Sequence, residues 1–375
     1  MSKRILIIIT KGDIGGAQVF VRNLARGLTQ KGFDITVGFG EGDFLTSELK
    51  LDGVRAVNFK YLKRTHNPLI TVFFVFELRR FLKKEKYDVV QFNSTNSLAG
   101  ALGVKLADKK IRTAFTVHGL SVLDEHYRAF PLVKSVYRLF FKFFLPFIDA
   151  PVFVSKENLE TAQKIRLVKN GVVIYNGIDV SALGVMARQE ARAAIGKMAG
   201  CDLGSRFVIG SIGRLSYQKN YGFLIESFRD ILKVRPDAVM TLIGDGPQKQ
   251  FLEAAIARLG LGEKIFLLGA HDNAGEYLKA FDLFVLPSRY EGIPITLEEC
   301  LFAETPVLVS NVGGNGEITT ARSLYALDDK AGFIEKFAEA AADPSLYVCD
   351  PGKKDLFSLD TMSKNYAELF EDLTA

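Results

Sequence analysis

At 375 residues, 48% hydrophobic and 24% charged, the chain has the balance of an ordinary soluble globular protein with room for two domains. Three scattered cysteines, Cys201, Cys300 and Cys349, lack metal-ligand spacing and read as reduced thiols of a cytosolic protein, against a disulfide framework or a zinc site. The net charge of +5 hides a division near Gly177: residues 1–178 carry 28 Lys and Arg against 15 Asp and Glu, while the remainder carries 20 against 28, so an anionic surface is expected to face the first half only.

In chain order, the first apolar run is ILIII after Lys3-Arg4, too short for a signal-peptide core and read as a buried strand. No later run approaches the ~18 apolar residues needed to span a bilayer. RILIIIT, DITVGF, DVVQFN, RTAFTV and PVFV recur through the first half with helical patterns between them, and FVIGSIG, VMTLIG, KIFLLG, DLFVLP and PVLVS repeat the plan in the second. Nearly continuous apolar strands alternating with helices imply parallel sheets covered on both faces, so the fold class is α/β with two doubly wound domains. Ligands of such sheets bind at the carboxyl ends of the strands, and a cleft between the domains is the expected pocket.

After the first strand, KGDIGGAQVF places Gly12, Gly15 and Gly16 ahead of a helix marked by Phe20, Leu24 and Leu28. The spacing is not that of a dinucleotide fingerprint, which disfavours a nicotinamide-dependent oxidoreductase; a plain tight turn and a loop whose backbone approaches a ligand both fit. ITVFFVFELRRFLKK then carries Arg79, Arg80, Lys83 and Lys84, and RAFPLVKSVYRLFFKFFLPF carries Lys134, Arg138 and Lys142 at every fourth residue, a basic stripe on a Phe-rich helix. These helices either cap a core or lie on anionic lipid; the charge of the half-chain favours lipid, and no RNA-reading motif accompanies it.

In the second half, SIGRLSYQKN sets Arg214 and Lys219 just after a strand, a planar fork and a point charge suited to a diphosphate. PSRYEGIPITLEECL places Glu291 on a loop and Glu299 in the following helix, with Pro294 expected at the first helical position. The amides around Gly292, Ile293 and Ile295 then form a helix-start phosphate site. The chain contains no D-x-D and no metal-spaced cluster, so charge neutralisation falls to Arg214, Lys219 and the helix dipole, and neither metal nor cofactor is expected.

IGRLSYQKN, LIGDGP, DLFVLPSRYEGIPITLEECL, AETPVLVS and NVGGNGE, with GGAQ, FTVHG, VFVSKEN and VIYNGID upstream, resemble in order and spacing glycosyltransferase family 4, the retaining nucleotide-sugar transferases of the GT-B fold. The resemblance covers nearly the whole chain. It implies two Rossmann-like domains facing each other across a cleft: 1–178 for the acceptor, with a terminal helix at about 358–375 packing back on it, and 179–357 for the nucleotide sugar. By resemblance Arg214 and Lys219 grip the donor diphosphate, Glu291 binds donor-sugar hydroxyls, Glu299 binds the ribose with Glu298 as rival, and His118 lies near the donor sugar, its alternative being a hydrogen-bonded strand-end histidine. Asn220 and Cys300 replace the family's usual Gly and Ala, and the segment after NVGGNGE lacks the usual Gly-rich stretch. A hexose-type donor on UDP, with GDP second, and a lipid-linked saccharide acceptor at the cytoplasmic face of an anionic membrane follow as expectations. A soluble transferase with a small acceptor, or an epimerase or non-catalytic binder of this fold, are the alternatives; nucleic acid is not an expected partner.

Overall fold

The computed structural model describes residues 2–13 and 15–375. Every apolar run named above forms a strand: β1 (Arg4–Lys11) and β2 (Asp34–Glu41) are followed by a short β3 (Arg55–Asn58), then β4 (Val89–Phe92), β5 (Arg112–Val117), β6 (Ala150–Phe153) and a two-residue β7 (Val172–Val173). The second series is β8 (Val208–Ile212), β9 (Val239–Ile243), β10 (Ile265–Gly269), β11 (Leu283–Leu286), β12 (Val307–Ser310) and β13 (Leu324–Tyr325). They make two wholly parallel sheets, in the orders β3-β2-β1-β4-β5-β6-β7 and β10-β9-β8-β11-β12-β13. The fold is therefore α/β and twice doubly wound. β3, β7 and β13 were not foreseen: each is a short edge strand, paired on one side only, and needs no long apolar run to form.

β1 shows how the pattern becomes a core. Alternate side chains point to opposite faces of a strand, so Ile5, Ile7 and Ile9 pack under the helix Gly16–Gln30, while Leu6 and Ile8 join the opposite core with Phe74 and Leu78 of the helix Pro68–Lys84 and Phe141 of the helix Pro131–Phe144. Fully burying each such side chain contributes about 1.5–3 kcal/mol.

Two compact units result: one comprises the chain to Asp124, Arg128–Ile178 and Leu356–Ala375, and the other Glu125–Tyr127 and Asp179–Asp355. The terminal helix Leu359–Thr374 belongs to the first unit. Met362, Tyr366 and Phe370, four residues apart, enter the core that holds Ile5, Ile7 and Ile9. It starts under a Ser358 cap on the Thr361 amide, beside Ile178, whose N–H donates to the Phe357 carbonyl at 3.1 Å. It crosses the Gly16–Gln30 helix so closely that a Cβ on Gly27 would lie 1.9 Å from Ser363 Oγ.

In each sheet the strand order reverses once, between β1 and β4 and between β8 and β11. The loops leaving the carboxyl ends of those strands diverge there and leave a crevice.

Candidate functional site

In the second unit, adjacent strands β8 and β11 release the two loops singled out by sequence. The first runs through Gly213 and Arg214, is pinned by buried Leu215, whose N–H donates to the Asp245 carbonyl at 3.0 Å, makes a 3-10 turn at Tyr217–Lys219, and enters the helix Tyr221–Val234 through Asn220. Asn220 stands at φ 54°, a left-handed conformation that asparagine tolerates better than most side chains. The second loop leads from Pro287 to the helix Ile295–Ala303.

That helix begins one residue later than expected. Pro294 is its N-cap, extended at φ −70° and ψ 128°, and its carbonyl accepts from the Leu297 and Glu298 amides. Proline's fixed φ suits a cap as well as a first turn. The amides of Ile295 and Thr296 come before the first intrahelical donor, the Leu297 N–H, and are the orphan donors of the helix start. Gly292 and Ile293, both buried, line the approach.

The charged groups converge. Lys219 Nζ donates to Glu291 Oε1 at 2.7 Å, with the two side chains only 15% and 7% exposed, and Gln218 Nε2 donates to Glu291 Oε2 at 3.2 Å. The Glu291 carboxylate is thus satisfied by the neighbouring loop. A third loop, after β12, closes in: the Gly314 N–H donates to the Gly292 carbonyl at 2.7 Å, and a Cβ on Gly313, at φ 53°, would lie 2.2 Å from the Glu291 carbonyl oxygen. Arg214, by contrast, is exposed, and its side chain makes no ion pair among the described residues. Glu299 sits on the second turn, part-exposed beside Gly275, and desolvation pushes its carboxyl up to about 7. Its rival Glu298 is wholly buried.

In the first unit, Gly15 is the N-cap and Gly16 the first residue of the helix after β1. Gly15 is extended, so its conformation does not demand glycine, and an added Cβ would meet only the Gln18 side chain. His118 follows β5. Its ring stands edge-on to Phe20 at 4.6 Å, its Nε2 is buried with no hydrogen-bond partner among the described residues, and desolvation pulls its pKa down to about 4, so the imidazole is neutral at pH 7. Phe20 packs in turn on Tyr366, whose hydroxyl is 2.9 Å from Thr116 Oγ1.

The basic helices lie together on the sheet face that carries Leu6 and Ile8. Arg80, Lys83, Lys84, Arg138 and Lys142 are exposed; Arg79 is part-buried and donates to the Leu106 carbonyl at 3.2 Å, and Lys134 to the Asp124 carbonyl at 2.7 Å. Only Phe141 of the Pro131–Phe144 helix is buried. Leu132, Val136, Leu139 and Phe143, spaced four, three and four apart, form an outward apolar stripe, with Leu132 75% and Leu139 70% exposed. Leu69, Val72, Phe73 and Phe76 are likewise exposed on the Pro68–Lys84 helix. No helix among the described residues is long and apolar enough to cross a membrane.

Sequence reasoning missed Gln218, Arg289, Asn220 and Asp328 as parts of this site. Gln218, Asn220 and Arg289 lie inside the motifs already quoted, but side-chain pairing across loops leaves no local signal. Among the described residues no group of three His, Cys, Asp or Glu stands where it could hold a metal ion.

Two family models match: Glycosyltransferase Family 4 over residues 14–182 and Glycosyl transferases group 1 over residues 203–347. A relative from Escherichia coli, UDP-Gal:alpha-D-GlcNAc-diphosphoundecaprenol alpha-1,3-galactosyltransferase, is 29% identical over 330 residues, 86% of this chain and 83% of the relative. Among solved structures, Anabaena HepE in complex with UDP and glucose superposes with a TM-score of 0.79 at 20% identity, covering 98% of this chain and 99% of that one. The sucrose-phosphate synthase of Thermosynechococcus elongatus does so with a TM-score of 0.80 at 20% identity, covering 99% of both. At such identities the structural likeness establishes the fold.

Proposed function

The chain belongs to the bacterial-type GT-B glycosyltransferases of family 4, and from that premise we propose that it moves a hexose-type sugar from UDP to a lipid-linked saccharide, with retention and without a metal. The observation that carries this reading is the constellation at the β8/β11 reversal: exposed Arg214, the Lys219–Glu291 pair, the orphan amides of Ile295 and Thr296, and Glu299 one turn further on. Along one ligand, Glu291 takes the sugar hydroxyls, Arg214, Lys219 and the helix start take the diphosphate, and Glu299 takes the ribose. The E. coli relative's own name, with its UDP-galactose donor and diphosphoundecaprenol acceptor, supports the choice of donor and acceptor class.

For the chemistry, the buried Glu291 carboxylate is occupied by Lys219 and Gln218 and is a poor nucleophile. A retaining path then has the nucleoside diphosphate leave on the face from which the acceptor attacks, through an oxocarbenium-like transition state. A donor phosphate oxygen takes the acceptor proton while Arg214 and Lys219 stabilise the charge growing on the leaving group. In the first unit, neutral His118 offers a hydrogen-bonding group at the carboxyl end of β5, near the Gly15-Gly16 helix start.

The acceptor end rests on the first unit. Exposed apolar stripes beside Arg80, Lys83, Lys84, Arg138 and Lys142 suit a peripheral position on an anionic cytoplasmic leaflet, each cation near the surface being worth about 1 kcal/mol. The test of the donor site is a thermal-shift panel of UDP, GDP and ADP in EDTA on the native protein and on Arg214→Ala. Stabilisation by UDP that survives chelation and is lost in the variant is expected; no shift with any nucleotide would sink the reading. Transfer from UDP-hexoses to a polyprenyl-diphosphate-linked sugar, with the product anomer read by NMR, then tests acceptor and retention.

A further inference from the structure

Behind the Lys219–Glu291 pair lies a second set of contacts in which one side chain fastens three loops. The Arg289 N–H donates to the Gln218 carbonyl at 2.7 Å, so its backbone is already tied to the loop after β8. Its guanidinium donates through Nη2 to Asn220 Oδ1 at 2.8 Å and through Nη1 to Asp328 Oδ2 at 2.5 Å, and lies over the Tyr217 ring at 4.9 Å from the centroid. Asn220 Nδ2 closes the triangle on Asp328 Oδ1 at 3.1 Å. Gln218 Nε2 adds a bond to the Tyr290 carbonyl at 3.0 Å.

Three features set this apart from an ordinary surface ion pair. The Arg289 side chain is only 18% exposed. Its Nε is buried with no partner among the described residues, so the fork is held in place at the cost of one dry donor. Asn220 and Asp328 both occupy the left-handed region, at φ 54° and 60°, and each is held there by a side-chain bond to the other. Strained backbone of this kind persists where surrounding contacts over-determine it. One residue before Asn220 is Lys219; two residues after Arg289 is Glu291. Asp328 lies in the stretch after β13, outside every motif that marks the donor site.

We propose that Arg289, clasped by Asn220 and Asp328, is the positioning residue of the donor site: it registers the loop after β8 against the loop after β11 and so fixes Lys219 where the donor diphosphate must meet it. This rests on the donor-site reading above. Arg289 does not itself touch the donor; it acts through the placement of Lys219 and Glu291. A planar fork can bond two acceptors on different loops while stacking on a ring, which a lysine cannot reproduce.

The test uses the full chain, with UDP in EDTA as probe and two readouts. One is UDP affinity by calorimetry; the other, needing no ligand, is the rate at which an amine-reactive acylating reagent modifies Lys219, read by mass spectrometry. Arg289→Ala is expected to weaken UDP by about tenfold and to raise Lys219 modification several-fold, through loss of charge-assisted bonds. Arg289→Lys is expected to recover part of both, and Asp328→Asn, which keeps shape and tolerates the left-handed backbone, to cost about threefold in affinity. Lys219→Ala is the control on the reading itself. If Lys219→Ala loses UDP while folded Arg289→Ala keeps native affinity and native Lys219 reactivity, the positioning role is overturned and the donor site stands. If Lys219→Ala binds UDP as the native chain does, the donor-site reading falls and takes the inference with it. Should Arg289→Ala fail to fold, the two conservative variants decide, and native behaviour of both in both readouts overturns the proposal.

Discussion

The loops at the β8/β11 reversal and the outer face of the Pro68–Lys84 and Pro131–Phe144 helices depart from the usual partition of side chains in opposite directions. At the loops, charged groups are drawn inward and held by polar partners: Glu291 by Lys219 and Gln218, the Arg289 fork by Asn220 and Asp328. On the helices, leucines, valines and phenylalanines are turned outward beside cations. Both cost stability relative to the simple arrangement, since a buried charge tolerates loss of its partner poorly and exposed apolar stripes gain nothing from folding. Consistency across levels is what makes a sequence foldable, and places that break it are where function is to be sought. The difference also says how each region fails: the loops by losing one partner, the helices by losing area or charge.

The largest effect expected separates two cations that look equivalent in sequence. Lys219→Ala leaves Glu291 buried without its ammonium and should cost about 3 kcal/mol of stability. Arg214→Ala, at an exposed position, should leave the melting temperature unchanged. Both should lower turnover by about 100-fold, as measured by acceptor-dependent UDP release, because both lose charge stabilisation in the transition state. Normal turnover in Arg214→Ala would remove it from the mechanism.

On the helices the expected change is smaller and of another kind. Leu139→Glu should weaken sedimentation with anionic vesicles by about tenfold through lost insertion and added repulsion, with no change in melting. Arg138→Glu should weaken it less, and the deficit should shrink as salt is raised. Equal binding of native chain and both variants would mean that the apolar stripe faces something other than lipid.

The smallest effect concerns Glu299. Its carboxyl, raised by burial from the ordinary 4.5 to about 7, is part-protonated at neutral pH. Ribose hydroxyls donate better to the ionised form, so UDP affinity should rise by a few-fold as pH increases through about 7. Glu299→Gln should bind UDP more weakly and lose that slope. The sign for the free protein is opposite: a raised carboxyl contributes stability below pH 4.5 that is lost as pH passes about 7. Melting of the native chain should therefore decline relative to Glu299→Gln over that window, and parallel curves would show that the group titrates normally.

Much of this protein follows from local pattern. Ile5 to Ile9 had to be a strand buried on both faces, and the alternation of such runs with amphipathic segments required parallel sheets. Spacing alone put Arg214 and Lys219 after one strand and Glu291 and Glu299 after another. The edge strands β3, β7 and β13 were not legible because two to four residues paired on one side carry too little pattern. Resemblance to the family's spacing favoured Glu299 over its neighbour; burial distinguishes the two, since Glu298 is enclosed while Glu299 keeps an exposed edge. The basic stripes were readable, but not that the apolar residues beside them face outward: a 3.6-residue period gives a helix its faces without saying which is covered. By itself, then, the sequence determined which residues are strands, which loops follow them, and the chemical types those loops offer, since these depend on neighbours along the chain. Only the tertiary structure decided that Lys219 meets Glu291 and that Arg289 reaches Asn220 and Asp328. Those partners are tens of residues apart in sequence and come within bonding distance because β8 lies beside β11 and β13 two places further along the same sheet.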